Sequence, residues 1–135
     1  MIIGIGSDLV SIPRIEQTLL RFGARFIARV YTQQEQEEAK KFGQDNPRGL
    51  ASYYAKRFAA KEAFAKALGT GFRGRLAMCH IGITNTALGK PECVLAPEAQ
   101  RLVSAQCDGE VVVHVSLSDD YPMAQAFVIL ERRSC

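Results

Sequence analysis

The chain has 135 residues and a net charge of +3, with 47% hydrophobic and 23% charged residues. That is the length of one domain, residues 1–135, with apolar side chains enough for a core and a composition ordinary for a soluble protein. The small basic excess makes no case for nucleic acid but suits an anionic substrate or an acidic partner; no apolar run nears the ~20 residues of a membrane span, and the start lacks a signal peptide's basic segment.

Ile2 to Val10 alternates as a strand does, with Ile3, Ile5 and Ser7 facing one way and Gly4, Gly6 and Asp8 the other. Glycines along one face leave room for a second backbone or a ligand to come close. Asp8 ends that face and reads either as a cap or turn residue before Ser11-Ile-Pro13 or as part of a site. A helix is expected from Pro13, with Ile12, Ile15, Leu19 and Phe22 as its apolar stripe and Gly23 as its stop. A shorter helical piece follows from Ala24 to Val30. Arg14, Arg21, Arg25 and Arg29 recur through both pieces with only Glu16 to oppose them. They read as a solvated face or as a docking patch for an acidic partner. Thr32-Gln-Gln-Glu35 is a capping box, opening a polar helix to Phe42 that Gly43 closes.

The central stretch is a long helix. Asn46 is its N-cap, Pro47 sits in its first turn, and Gly69 closes it after Leu68. The helical period puts Arg57 and Lys61 on the side of Leu50, Phe64 and Leu68. Glu62 falls instead among Ala55, Phe58 and Ala59, with Lys66 one turn on. Like charges four apart, as in Arg57 and Lys61, weaken a helix by roughly a few tenths of a kcal/mol unless an anion sits between them. A carboxylate among alanines is costly to bury without a cation. Glu62 and Lys66 therefore read as an ordinary surface pair or as a site for a ligand carrying phosphate and metal.

Beyond Gly71, Phe72-Arg-Gly-Arg75 reads as a flexible basic loop. A strand is expected near His80 to Ala87, a turn over Leu88-Gly-Lys-Pro91 and a returning strand from Glu92 to Leu95. Pro97 to Gln106 is a short helix with Ala99, Leu102 and Val103 inward. Val111 to Leu117 and Met123 to Glu131 are two strands joined by residues 118–122. His80 and His114 have no second ligand at a matching spacing and read as structural or surface residues. Cys79, Cys93, Cys107 and Cys135 contain no CxxC pair, which predicts reduced thiols and a cytoplasmic protein rather than a disulfide or zinc framework. The expected fold class is α+β, a small antiparallel sheet packed against the long helix with shorter helices around it.

With these pieces in order, the chain resembles the holo-acyl-carrier-protein synthases, the small class of phosphopantetheinyl transferases. The resemblance rests on Gly4-Ile-Gly-Ser-Asp8 with Arg14, on Arg57-Phe-Ala-Ala-Lys-Glu-Ala63, and on Lys66-Ala-Leu-Gly-Thr-Gly71. Gly89-Lys-Pro91, Val115-Ser-Leu-Ser118 and Ala124-Gln-Ala126 complete it from end to end. At position 119 this chain has Asp where many members have His, so no role of that His carries over.

The resemblance implies transfer of the 4′-phosphopantetheine arm of coenzyme A to a serine of apo-acyl-carrier protein, releasing adenosine 3′,5′-bisphosphate. It implies a homotrimer with each site built across an interface, and a Mg²⁺ ion held by Asp8 and Glu62 beside the coenzyme A diphosphate. Phosphoryl transfer of this kind is mostly positioning and charge neutralisation. Glu62, directly or through a water, is then the acceptor of the serine proton, and Lys66 a stabiliser of the leaving bisphosphate. Arg57, Lys61, Lys90 and the adjoining Pro91 are candidates to hold coenzyme A, the cations at its outer phosphates. Arg14, Arg21, Arg25 and Arg29 become the docking face for the acidic carrier protein. Two other classes compete: a Mg²⁺-dependent nucleotide pyrophosphatase, and a non-catalytic basic module that binds an acidic protein or nucleic acid.

Overall fold

In a computed structural model, which describes residues 1–72 and 76–134, the order of elements follows that reading closely. Strand β1 (Ile2–Ser11) leads into helices α1 (Ile12–Phe22), α2 (Ala24–Val30) and α3 (Gln33–Ala39). After a 3-10 turn at Lys40–Phe42 comes the long helix α4 (Pro47–Leu68). Strands β2 (Ile81–Asn85) and β3 (Pro91–Leu95), helix α5 (Pro97–Ser104), and strands β4 (Glu110–Asp120) and β5 (Met123–Arg133) complete the chain. No helix among the described residues is long and apolar enough to cross a membrane.

The expected α+β class is borne out, with two small antiparallel sheets in place of one. β5 lies between β1 and β4, and β2 pairs with β3 in a separate hairpin. Local chemistry explains most boundaries. Ser11 caps α1 by accepting from the Arg14 N–H, and Thr32 with Glu35 forms the complete capping box of α3. Asn46 accepts from the Gly49 N–H to start α4, and Gly69 ends it in the left-handed conformation at φ 84°.

Differences from expectation lie at element ends. The polar helix expected to reach Phe42 gives way at Ala39 to the 3-10 turn. The helix after Pro97 ends at Ser104 rather than Gln106, and the strand expected from His80 to Ala87 is confined to Ile81–Asn85. Ser118, Asp119 and Asp120, expected in a loop, continue β4 by pairing with Gln125, Ala124 and Met123. Their polar side chains look like loop chemistry, but the backbone ladder runs on. The expected basic loop at residues 72–75 lies, for 73–75, outside the described residues, as does Cys135.

α4 is buried around most of its circumference, which explains its alanines. One flank rests on β1 and β5 and the other faces α3 and the β2–β3 hairpin. Two adjoining cores meet along it. One joins Phe64 and Leu68 to Ile81, Ile83, Val103, Val128 and Leu130; the other joins Tyr53 and Tyr54 to Ile12, Ile15 and Tyr31.

Candidate active site

The glycine face of β1 is met by the backbone of α4. A Cβ added to Gly4 would stand 2.1 Å from the Ala67 carbonyl oxygen, and one added to Gly6 would stand 1.9 Å from that of Ala63. Two strand residues advance ~6.7 Å and four helix residues ~6 Å, so helix and strand stay in step. Continuing that step brings Asp8 to the turn of α4 that carries Glu62.

The two carboxylates interact. Burial and the repulsion of Asp8 push the Glu62 carboxyl above its ordinary range, against the pull of Lys66. Lys66 turns to the strand: its Nζ donates to Asp8 Oδ1 at 3.1 Å and to the Ser7 carbonyl oxygen at 2.9 Å. The alternative of a Glu62–Lys66 surface pair is thus not what forms, and the cation belongs to a three-group cluster with Asp8 and Glu62.

This cluster suits a hard divalent cation. Two mutually repelling carboxylates, one raised in pKa, are a donor set that Mg²⁺ accepts, since it takes one or two protein carboxylates and fills the rest with water and phosphate. No third His, Cys, Asp or Glu joins them among the described residues.

Lys61 is placed otherwise than expected. It is fully enclosed, its Nζ donating to Glu35 Oε1 at 2.7 Å, to the Met78 carbonyl oxygen at 3.3 Å and to the Ile81 carbonyl oxygen. Glu35 in turn accepts from the backbone of Thr32 and Ile83 and is 1% exposed. All three ammonium hydrogens are used, so this lysine ties α4 to α3 and β2 and has none left for a phosphate. Burial lowers its pKa against the pull of Glu35.

Arg57 is also buried but reaches a cleft. Its guanidinium lies over the Tyr53 ring at 3.7 Å and donates to Asn85 Oδ1 at 3.1 Å, while its Nε has no partner. The cleft, of about 340 Å³, is further lined by Lys41, Arg48, Ser52, Lys56 and Asp119. Lys41, Arg48, Ser52 and Lys56 escaped the sequence reading because the cleft is assembled from the 3-10 turn, α4 and β4; the available signal was Arg48 and Lys56 on the same helix as Arg57. Asp119 accepts from Ser52 Oγ at 2.7 Å and pairs with Lys56 at 3.2 Å, and these contacts hold its carboxyl below the usual range. Lys90 and Pro91 line a cleft between β3 and β4, and Pro91 is the strand partner of Asn85, whose side chain accepts from Arg57.

At about 100° per residue, Lys56 and Arg57 lie roughly 120–140° around α4 from Glu62. Cation cleft and carboxylate pair therefore open on different flanks of one helix. Elsewhere Arg14, Arg21, Arg25 and Arg29 are all exposed, and none enters an ion pair among the described residues. Arg25 and Arg29 border a groove floored by Phe22, Phe26 and Val30.

Comparison with known proteins shows what the chain is similar to. The holo-[acyl-carrier-protein] synthase of Erythrobacter litoralis is 50% identical over 133 residues, covering 97% of each chain. The crystal structure of the Neisseria meningitidis holo-[acyl-carrier-protein] synthase superposes with a TM-score of 0.86 at 42% identity, covering 98% of this chain and all of that one. A Bacillus anthracis holo-(acyl-carrier-protein) synthase in complex with coenzyme A (3′,5′-ADP) gives 0.80 at 34% identity over 98% of this chain and 99% of its own. Residues 4–126 match the family described as the 4′-phosphopantetheinyl transferase superfamily, and the chain belongs to that family.

Proposed function

We propose that this protein transfers the 4′-phosphopantetheine arm of coenzyme A to a serine of apo-acyl-carrier protein, releasing adenosine 3′,5′-bisphosphate. The observation that carries the reading is the meeting of Asp8, Glu62 and Lys66 where β1 and α4 touch through Gly6. Relatives named for this reaction, at half identity over nearly the whole chain, support it.

Asp8 and Glu62 would hold Mg²⁺, which when bound neutralises charge on the diphosphate. Lys66, already at Asp8, supplies a mobile cation at 54% side-chain exposure that can swing to the leaving bisphosphate. Glu62, beside Asp8 and Lys66, is the group that accepts the serine hydroxyl proton, directly or through a water. Arg57 and its cleft take the outer phosphate of coenzyme A, with the Gly89–Pro91 turn linked to Arg57 through Asn85 in the same chain.

Joining this cleft to the carboxylates needs a second copy because the two face apart on α4. We place the site across the interface of a homotrimer. The outer face of β1 and β5 supports this, with Ile5 63%, Leu9 62% and Phe127 44% exposed on one surface. The acidic carrier protein docks on Arg14, Arg21, Arg25 and Arg29, and the protein works in the cytoplasm, a reading that its coenzyme A substrate and the free thiols of Cys79, Cys93 and Cys107 support. The test is incubation with coenzyme A, Mg²⁺ and apo-carrier protein followed by mass spectrometry of the carrier. One phosphopantetheine added per carrier supports transfer. Hydrolysed coenzyme A with an unmodified carrier supports a pyrophosphatase instead.

A further inference from the structure

The cation cleft contains one carboxylate, and its position is specific. Asp119 stands near the end of β4, opposite Ala124 of β5, and reaches across to α4. Its Oδ2 accepts from Ser52 and its Oδ1 meets Lys56, the residues one helical turn apart that face it. Lys41, Arg48, Lys56 and Arg57 against Asp119 leave the cleft with four cations and one anion, a net charge of +3. Arg48 is stacked over Tyr121 at 4.1 Å, and Arg57 is clamped between Tyr53 and Asn85. Of the cations lining the cleft, Lys56 is the one held by a carboxylate among the described residues, with its side chain 27% exposed.

Resting on the proposed reaction, we propose that Lys56 is a binding residue for the 3′-phosphate of coenzyme A and that Asp119 is its positioning residue. A free lysine must be immobilised when a phosphate arrives, whereas one already held against Asp119, itself fixed by Ser52, has lost that freedom in advance. The carboxylate also repels the phosphate, so it helps only by holding Lys56. The unpartnered, buried Nε of Arg57 in the same cleft is a second donor awaiting an acceptor. A dianionic phosphate monoester set against Lys56, Arg48 and Arg57 satisfies these groups. The Lys56–Asp119 pair thereby gives this chain its discrimination between coenzyme A and its 3′-dephospho form.

The test compares both donors in the full-length protein and in Lys56→Met, Asp119→Asn and the double variant, each checked for an unchanged melting temperature. Lys56→Met raises the KM for coenzyme A about tenfold, the scale of one charge-assisted hydrogen bond, and leaves that for 3′-dephospho-coenzyme A in place. Lys56→Arg retains most of the discrimination. Asp119→Asn raises the KM for coenzyme A about threefold in the native background and not at all beside Lys56→Met. Calorimetry with adenosine 3′,5′-bisphosphate and adenosine 5′-monophosphate reads the same selectivity without turnover. A silent Lys56→Met, equal losses for both donors, or an Asp119→Asn effect that survives in Lys56→Met overturns the inference. Absence of transfer by the native protein, with bisphosphate selectivity still dependent on Lys56, would instead count against the proposed reaction alone.

Discussion

Gly6 of β1 and Ala63 of α4 meet backbone to backbone, so closely that a single added methyl group on Gly6 would lie 1.9 Å from the Ala63 carbonyl oxygen. The obstacle is a helix carbonyl and not a flexible side chain, so the strand and helix must part to relieve it. Gly6→Ala is expected to destabilise the fold by about 1–3 kcal/mol, the usual range for overpacking, and a larger loss is unsurprising here. Asp8 lies two residues on along the same face. Activity should therefore fall more than the folded fraction does, and urea denaturation alongside transfer rates checks both.

The buried pair of Lys61 and Glu35 gives a second expectation. Lys61→Met leaves Glu35 enclosed with backbone donors but no cation, and removing one partner of a buried pair costs about 3–5 kcal/mol. Adding Glu35→Gln should recover part of that loss, because no uncompensated charge remains. Chemical denaturation of the two single variants and the double variant measures the coupling. A Lys61→Met variant with native stability and a raised KM for coenzyme A would return this lysine to the substrate site.

Glu62 should show itself in stability against pH. Its carboxyl titrates higher in the folded chain than in the unfolded one, so the folded state binds the extra proton between the two values. In that window stability falls as pH rises, and the penalty persists at neutral pH without a cation. Glu62→Gln should therefore melt higher than the native protein at pH 7 in chelator, and show a flatter profile from pH 4.5 upward. Added Mg²⁺ should stabilise the native protein and leave Glu62→Gln unmoved.

Reversal of an arginine on the exposed basic face addresses docking. Arg21→Glu should raise the KM for acyl-carrier protein about tenfold at low salt and much less at high salt, with the KM for coenzyme A unchanged. Stability should hardly alter, since Arg21 enters no ion pair among the described residues and only rests over the Phe22 ring at 5.1 Å. Equal losses for both substrates would remove this face from carrier recognition.

How far the sequence is legible depends on the range of the interaction. Caps at Thr32, Asn46 and Gly69 are local chemistry, and each appears where the residue types put it. The glycine face of β1 correctly announces a close approach, although whether backbone or ligand comes close is settled only by α4. Lys61 shows the limit. A helical wheel places it beside Arg57 but is silent on what faces it, and its partner Glu35 lies 26 residues away on another helix. Asp119 is likewise joined to Ser52 across 67 residues, a contact created by the order of strands, which alternation along one strand does not encode. β4 shows a different limit: Ser118 to Asp120 carry loop-like side chains, and only the backbone ladder to the adjoining β5 makes them strand.

The central claim is that Asp8 and Glu62 hold one divalent ion beside the diphosphate of coenzyme A. Mn²⁺, which accepts the same oxygen ligands, reports on this directly by electron paramagnetic resonance. Titrated with coenzyme A present, the native protein should bind one Mn²⁺ per chain, while Asp8→Asn and Glu62→Gln, folded as judged by circular dichroism, should bind none at the same concentration. Native-like Mn²⁺ binding in both variants would contradict the account.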